Sequence, residues 1–176
     1  MIRLALLVAV AACSSDIDLA GVYSVDSDVT SMPCGMDVAV TPKPLFIKFI
    51  QTEFFGAKSW QFVDCMDGAG TMCSSDGSGL FGTMSGINDG LFDGLTTPTD
   101  NGWTGTEYSS SFSGTMCKLG YNDSVATVTG AKLQLDVLVY GDTIMSTNLE
   151  CTTDLAKMHG TSMPCVAHGH IDATKL

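Results

Sequence analysis

Three residues near the C-terminus have the types and spacing for metal chemistry: His168, His170 and Asp172, in the run His168-Gly-His170-Ile-Asp172. On an extended strand alternate residues share a face, so both imidazoles and the carboxylate would form one row of ligands suited to zinc or copper. A solvated strand face would carry the same polar row, and the nearest further ligand is His159. Sulfur offers softer chemistry. Met66, Met72 and Met116 stand directly beside cysteines, and Met32-Pro-Cys34 recurs as Met163-Pro-Cys165. Thioethers and thiolates together would hold Cu(I), unless disulfides consume the thiolates and the methionines only fill an irregular core.

Carboxylates and hydroxyls say less. Asp64, Asp67 and Asp76 are read as lying in a glycine-rich loop, but calcium-loop spacing fails, because Asp16-Ile-Asp18-Leu-Ala-Gly21 lacks an oxygen at its fifth position and has Ser27 at its twelfth. Turn formation by Asp-Gly accounts for most of these acids. In Thr83-Met-Ser85-Gly86 a threonine replaces the first glycine of a nucleophile elbow, and all three histidines fall after residue 158. No catalytic residue is assigned, no cofactor is expected, and the reading leans away from an enzyme.

Positioning such groups falls to a chain of 176 residues with a net charge of −11 and a single arginine, Arg3. Arg3 precedes an apolar run over residues 4–12, too short for a bilayer and long enough for the core of an export signal. Loss of that leader would leave seven lysines against nineteen acids, a charge of −12, and no arginine. Without the guanidinium fork that grips phosphate, nucleic acid is not expected as a partner. Six cysteines would remain besides Cys13: Cys34, Cys65, Cys73, Cys117, Cys151 and Cys165. An even number in an exported chain implies three disulfides. Short loops close most easily, which favours the nearest-neighbour set Cys34–Cys65, Cys73–Cys117 and Cys151–Cys165, the last pinning the C-terminus to the body. With nineteen glycines raising the entropic cost of folding, the reduced protein is expected to be largely unfolded.

The leader ends in Val10-Ala11-Ala12-Cys13, which resembles the lipobox of bacterial lipoproteins. The resemblance implies a signal peptide over residues 1–12, cleavage before Cys13, a diacylglycerol on its thiol and a membrane anchor in the cell envelope. By the same resemblance Ser14, rather than aspartate, after the lipidated cysteine implies the outer membrane rather than the inner. Residues 13–18 make a short tether, and residues 19–176 are expected to form one β-rich domain, a monomer.

Period-two alternation organises that domain. Leu19, Gly21, Tyr23, Val25 and Val29 share one face of a first strand, with Ser24, Asp26 and Asp28 opposite. Residues 45–55 and 59–65 predict a hairpin. Strands follow at 80–87, 103–117, 119–129 and 131–140, the last with Leu133, Leu135, Val137 and Val139 inward. Gly141-Asp142 predicts a turn into a further strand over 143–150. Thr152 as N-cap and Gly160 as stop predict a short helix after Cys151, and residues 166–176 a final edge strand. About eight short strands with one short C-terminal helix predict an all-β, disulfide-stapled antiparallel barrel or sandwich. Gly21-Val22-Tyr23 resembles the G-x-W of the lipocalin opening strand, over three residues and with tyrosine for tryptophan. That resemblance implies a carrier of a small apolar ligand lined by Tyr23, Phe49, Trp60 and Phe62; otherwise the domain would bind an envelope protein or serve structurally.

Overall fold

Two-residue turns join four of the eight successive strand pairs, and each of those four pairs forms an antiparallel hairpin. The computed structural model describes residues 16–41, 43–54, 56–73 and 94–176. Strands β3 (Phe46–Phe54) and β4 (Ala57–Cys65) form the expected hairpin, with Phe54 opposite Ala57. Strands β5 (Thr97–Thr99), β6 (Gly102–Ser113), β7 (Met116–Thr129) and β8 (Lys132–Met145) continue as an antiparallel meander. Gly114 and Gly130 adopt positive φ, +65° and +61°, at the β6–β7 and β7–β8 turns, where such tight hairpins need a left-handed residue.

The last strand, β9 (Cys165–Lys175), pairs with β8 on one side and with β1 (Gly21–Ser31) on the other, while the two-residue β2 (Val38–Ala39) lies along the end of β1. Around the sheet the order is β4-β3-β1-β9-β8-β7-β6-β5. The outermost members, β4 and β5, meet through reciprocal backbone bonds between Trp60 and Leu95, 3.0 and 2.8 Å, just ahead of β5. A side chain on Gly105 would collide there, its Cβ falling 2.1 Å from the Gly94 carbonyl oxygen. The result is a nearly closed eight-strand barrel of up-and-down order, not a sandwich.

Three sequence expectations change. β9 is flanked on both sides and is not an edge strand. Gly141-Asp142 makes no turn: β8 runs on to Met145, with Gly141 opposite Gly120. In β1, a bulge against β9 between Val25 and Ser27 places Asp26 and Ser27 together on the outside and inverts the alternation beyond them. Asp28 therefore faces inward and is 3% exposed, whereas Val29 lies opposite His170 on the outer face. The strand expected over 80–87 lies outside the described residues.

Most of the barrel interior is one apolar cluster that includes Tyr23, Ile47, Phe49, Trp60, Phe62, Trp103, Leu133, Leu135, Val137, Val139 and Ile171. The segment leading into β1 closes that end: Leu19 is fully buried, and the Trp103 indole donates to the Ile17 carbonyl at 2.6 Å. A second cluster lies outside the barrel wall. The helix α1 (Thr153–His159), capped by Thr152 through the Leu155 amide and ended at Gly160, lays Ala156 against Cys117, Leu119 and Tyr121. Tyr108, Tyr121 and Tyr140, opposite one another on β6, β7 and β8, stack in a row beside it.

The cysteines pair as Cys34–Cys165, Cys65–Cys73 and Cys117–Cys151. The nearest-neighbour set is wrong at every bridge, because strand pairing and not loop length decides which thiols meet: closing β9 on β1 brings Cys34 and Cys165 together across 131 residues. The helix is tethered through Cys151 to β7 rather than to Cys165. In the chain-entropy account a longer closed loop removes more freedom from the unfolded state. Removing Cys34–Cys165 (both to alanine) should therefore cost most, about 5 kcal/mol, removing Cys117–Cys151 about 4 kcal/mol and removing the eight-residue Cys65–Cys73 loop least, about 2.5 kcal/mol. Urea unfolding of the three double variants checks the order, and a reversed order rejects it.

Candidate functional site

On the outer face, β9 presents His168, His170 and Asp172 in one row, as the alternation requires, and the neighbouring strands complete it. His168 Nδ1 lies 3.6 Å from Asp37 Oδ1, and His168 Nε2 lies 3.3 Å from Asp136 Oδ1. The same Asp136 oxygen is 2.7 Å from His170 Nδ1, and His170 Nε2 is 3.3 Å from Asp172 Oδ1. Asp172 also accepts from Ser27 at 2.8 Å and Gln134 at 3.1 Å. Acid and imidazole thus alternate along a ladder, Asp37–His168–Asp136–His170–Asp172, in which each imidazole nitrogen is directed at a carboxylate. Among the described residues no three such side chains converge on one point as metal ligands must. His159 stands apart at the end of α1.

Burial opposes the charge on His170, but hydrogen bonding to Asp136 and the charges of Asp136 and Asp172 outweigh it and hold its pKa above the ordinary value of 6.5. For Asp172, burial pushes upward, while bonds from Ser27 and Gln134 and the nearby His170 bring it below the usual carboxylate range. A raised histidine stabilises the fold most below about pH 6.5, and that contribution fades as pH rises through its folded pKa. Asp136→Asn should lower the His170 pKa in an NMR titration of the imidazole protons. It should also cost stability at pH ~5.5 and little at pH ~9; an unmoved titration would show the ladder to be electrostatically idle.

The interior holds a second constellation, which alternation alone places wrongly. Toward the end where β1 finishes, inward positions turn polar. Asp28 on β1 lies opposite Ile171, and Asp64 on β4 opposite Ile47, both at the margin of the apolar core. Asp64 is thus a strand residue and not part of the glycine-rich loop. Glu107 and Asn122 are cross-strand partners on β6 and β7, joined by an Asn122 Nδ2–Glu107 Oε2 bond of 3.2 Å, and the buried Ser124 lies opposite Gly105. Gly120, Ala167 and Gly169 face the same space. Neither carboxylate oxygen of Asp28 has a hydrogen-bond partner, nor has the buried Asn122 Oδ1, among the described residues. Burial, with the Asp64 charge adding and Lys43 opposing, pushes the Asp28 carboxyl up to about 6.

The residues expected to line a ligand, Tyr23, Phe49, Trp60 and Phe62, all point inward and are buried. They touch in sequence: Tyr23–Phe49 centroids are 5.6 Å apart, Phe49–Phe62 5.8 Å and Trp60–Trp103 6.2 Å. Lys175 places its ammonium 5.7 Å over the Tyr23 ring. Asp67 is a turn builder, accepting from the Thr71 amide and hydroxyl and the Met72 amide. The described disulfides take up all six thiols, while Met32, Met36, Met66, Met72, Met116, Met145 and Met158 are exposed around the polar end of the barrel. Cys13, Asp76 and Ser85 lie outside the described residues. Asp136 was legible only as an outward residue; its meeting with both histidines follows from the β8–β9 register. Nothing in the sequence marks the bulge that turns Asp28 inward. No family model, curated protein or solved structure matches the chain.

An acid ionised near pH 4 when unfolded, but only near pH 6 when folded, destabilises the native state progressively between those values. The neutral isostere Asp28→Asn escapes this. It should raise stability by about 1–3 kcal/mol at pH ~7.5, the gain disappearing toward pH ~3.5. Thermal melts across that range check it, and a loss of stability at pH ~7.5 would show that the folded chain itself gives the carboxylate a stabilising partner.

Proposed function

We propose that the chain is an exported lipoprotein, anchored in the envelope through Cys13, whose barrel carries a small ligand in its interior. What supports the carrier reading is one observation: an up-and-down barrel of eight strands whose inward surface passes from an aromatic half to a polar, glycine-lined half. A barrel of eight strands either fills its interior with side chains or holds one small ligand, and this division offers an apolar body and a polar head different surroundings, as the lipocalin-like opening would imply. The chain enters at the aromatic end, where Leu19 and Ile17 pack. Cys13 precedes Asp16 by only three residues, a reach of about 10 Å, so an anchor there would hold the aromatic end toward the bilayer and turn the polar end away. The histidine row, engaged along its length by aspartates, favours a structural ladder over the metal-binding alternative.

Two measurements test the two halves of this proposal. Metabolic labelling with a palmitate analogue should mark the parent and not Cys13→Ser; equal labelling ends the lipoprotein reading. For the barrel, N-phenyl-1-naphthylamine added to the oxidised Cys13→Ser chain should bind saturably near one per chain and quench the chain's two tryptophans, Trp60 and Trp103, both in the core. Non-saturable or absent quenching means a filled core, and leaves surface recognition as the domain's work.

A further inference from the structure

We propose that the interior site takes an organic cation, an ammonium group bound at Asp28 and Asp64 with its apolar body against the aromatic half of the barrel. This rests on the carrier reading and specifies its ligand. The first observation is Asp28 itself: a carboxylate 3% exposed, facing inward opposite Ile171, with neither oxygen hydrogen-bonded among the described residues. Buried acids in folded proteins are ordinarily paired or hydrogen-bonded, because desolvating one without a partner is unfavourable. One left open at the edge of an apolar core lacks a donor that a ligand can supply.

The second observation is the sign of what surrounds it. Asp64 shares its field with Asp28, and Glu107 occupies an inward position farther round the wall, beside the Asn122 oxygen that also lacks a donor. On the interior positions of this half the polar set, among the described residues, is acids, amide and hydroxyls. Among the described residues Lys43 is the cation whose charge acts on Asp28, and its ammonium donates to the Val25 and Asp26 carbonyls. An anion would meet repulsion here, and a neutral apolar molecule would leave the Asp28 carboxylate without a partner. A monocation gains charge-assisted hydrogen bonds. Multiple-ligand metal coordination does not fit, because no three acidic, histidine or cysteine groups among the described residues converge.

The third is adjacency. The register partners of the two aspartates, Ile171 and Ile47, belong to the cluster containing Tyr23, Phe49 and Phe62, so a headgroup at the carboxylates places its tail among aromatic rings. Flat aromatic amines suit such a pairing of charge with apolar wall.

Tryptamine and its uncharged analogue 3-ethylindole make the test, titrated calorimetrically at pH ~7.5 into the oxidised Cys13→Ser chain and into the same chain carrying Asp28→Asn. The isosteric change removes the charge without emptying volume, and its melting point confirms a folded sample. Tryptamine should bind at least tenfold more tightly than 3-ethylindole, and Asp28→Asn should abolish that preference. Equal binding of both compounds, or a preference undiminished in Asp28→Asn, overturns the inference while the carrier reading stands on its naphthylamine result. If neither compound binds and N-phenyl-1-naphthylamine also fails, the carrier reading itself falls. If the naphthylamine binds and tryptamine does not, only the cation assignment is lost.

Discussion

The ladder between β1 and β9 is the constraint on which the remaining architecture depends. It joins residues almost the whole domain apart, Ser27 to Asp172 and Tyr23 to Lys175, and by joining them gives a meander of locally paired strands an inside. Before that closure each hairpin has two faces exposed to water. After it, one face of every strand is withdrawn, and the free energy of burying Ile47, Trp60, Leu135 and Ile171 becomes available together. Such non-local pairing is slow to find because loop entropy is lost before contacts compensate it. The long-range Cys34–Cys165 bridge sits at one end of this seam and Lys175 over Tyr23 at the other.

The same seam carries the bulge that divides the chemistry of the protein into two surfaces. One extra residue between Val25 and Ser27 is enough to place Asp26 outside, where Thr174 and Lys132 bond it and hold its carboxyl below the usual range, and to send Asp28 inside. Two acids two residues apart thereby acquire opposite electrostatic fates. The outer one is exposed and partnered. The inner one is buried and, among the described residues, has no hydrogen-bond partner, the kind of local cost that folded chains carry at sites with a use for it.

Outside the wall, the histidine–aspartate ladder and the tyrosine row show how a strongly acidic surface, with no arginine among the described residues, is held together. Asp136 serves two imidazoles at once, and α1 with its cap and its Cys117–Cys151 tether covers Leu119 and Tyr121, apolar groups that the barrel turns outward. The exposed methionines lie at the polar end, and in the proposed orientation they would face away from the anchor.

What the sequence by itself determined was local. Alternation identified β1, the β3–β4 hairpin and the inward row of β8, and cap chemistry located α1 between Thr152 and Gly160, because period, turn residues and caps act over a few neighbours. Adjacent His168, His170 and Asp172 were likewise certain to share a face. Tertiary structure alone decided the rest: barrel over sandwich, which cysteines meet, and that Asp136 stands between the two histidines. It also decided that Asp28 points inward, since a bulge is set by the register between two distant strands and leaves no mark in either one. Each of these depends on which residues closure brings together across more than a hundred positions, and spacing along the chain carries no record of that distance.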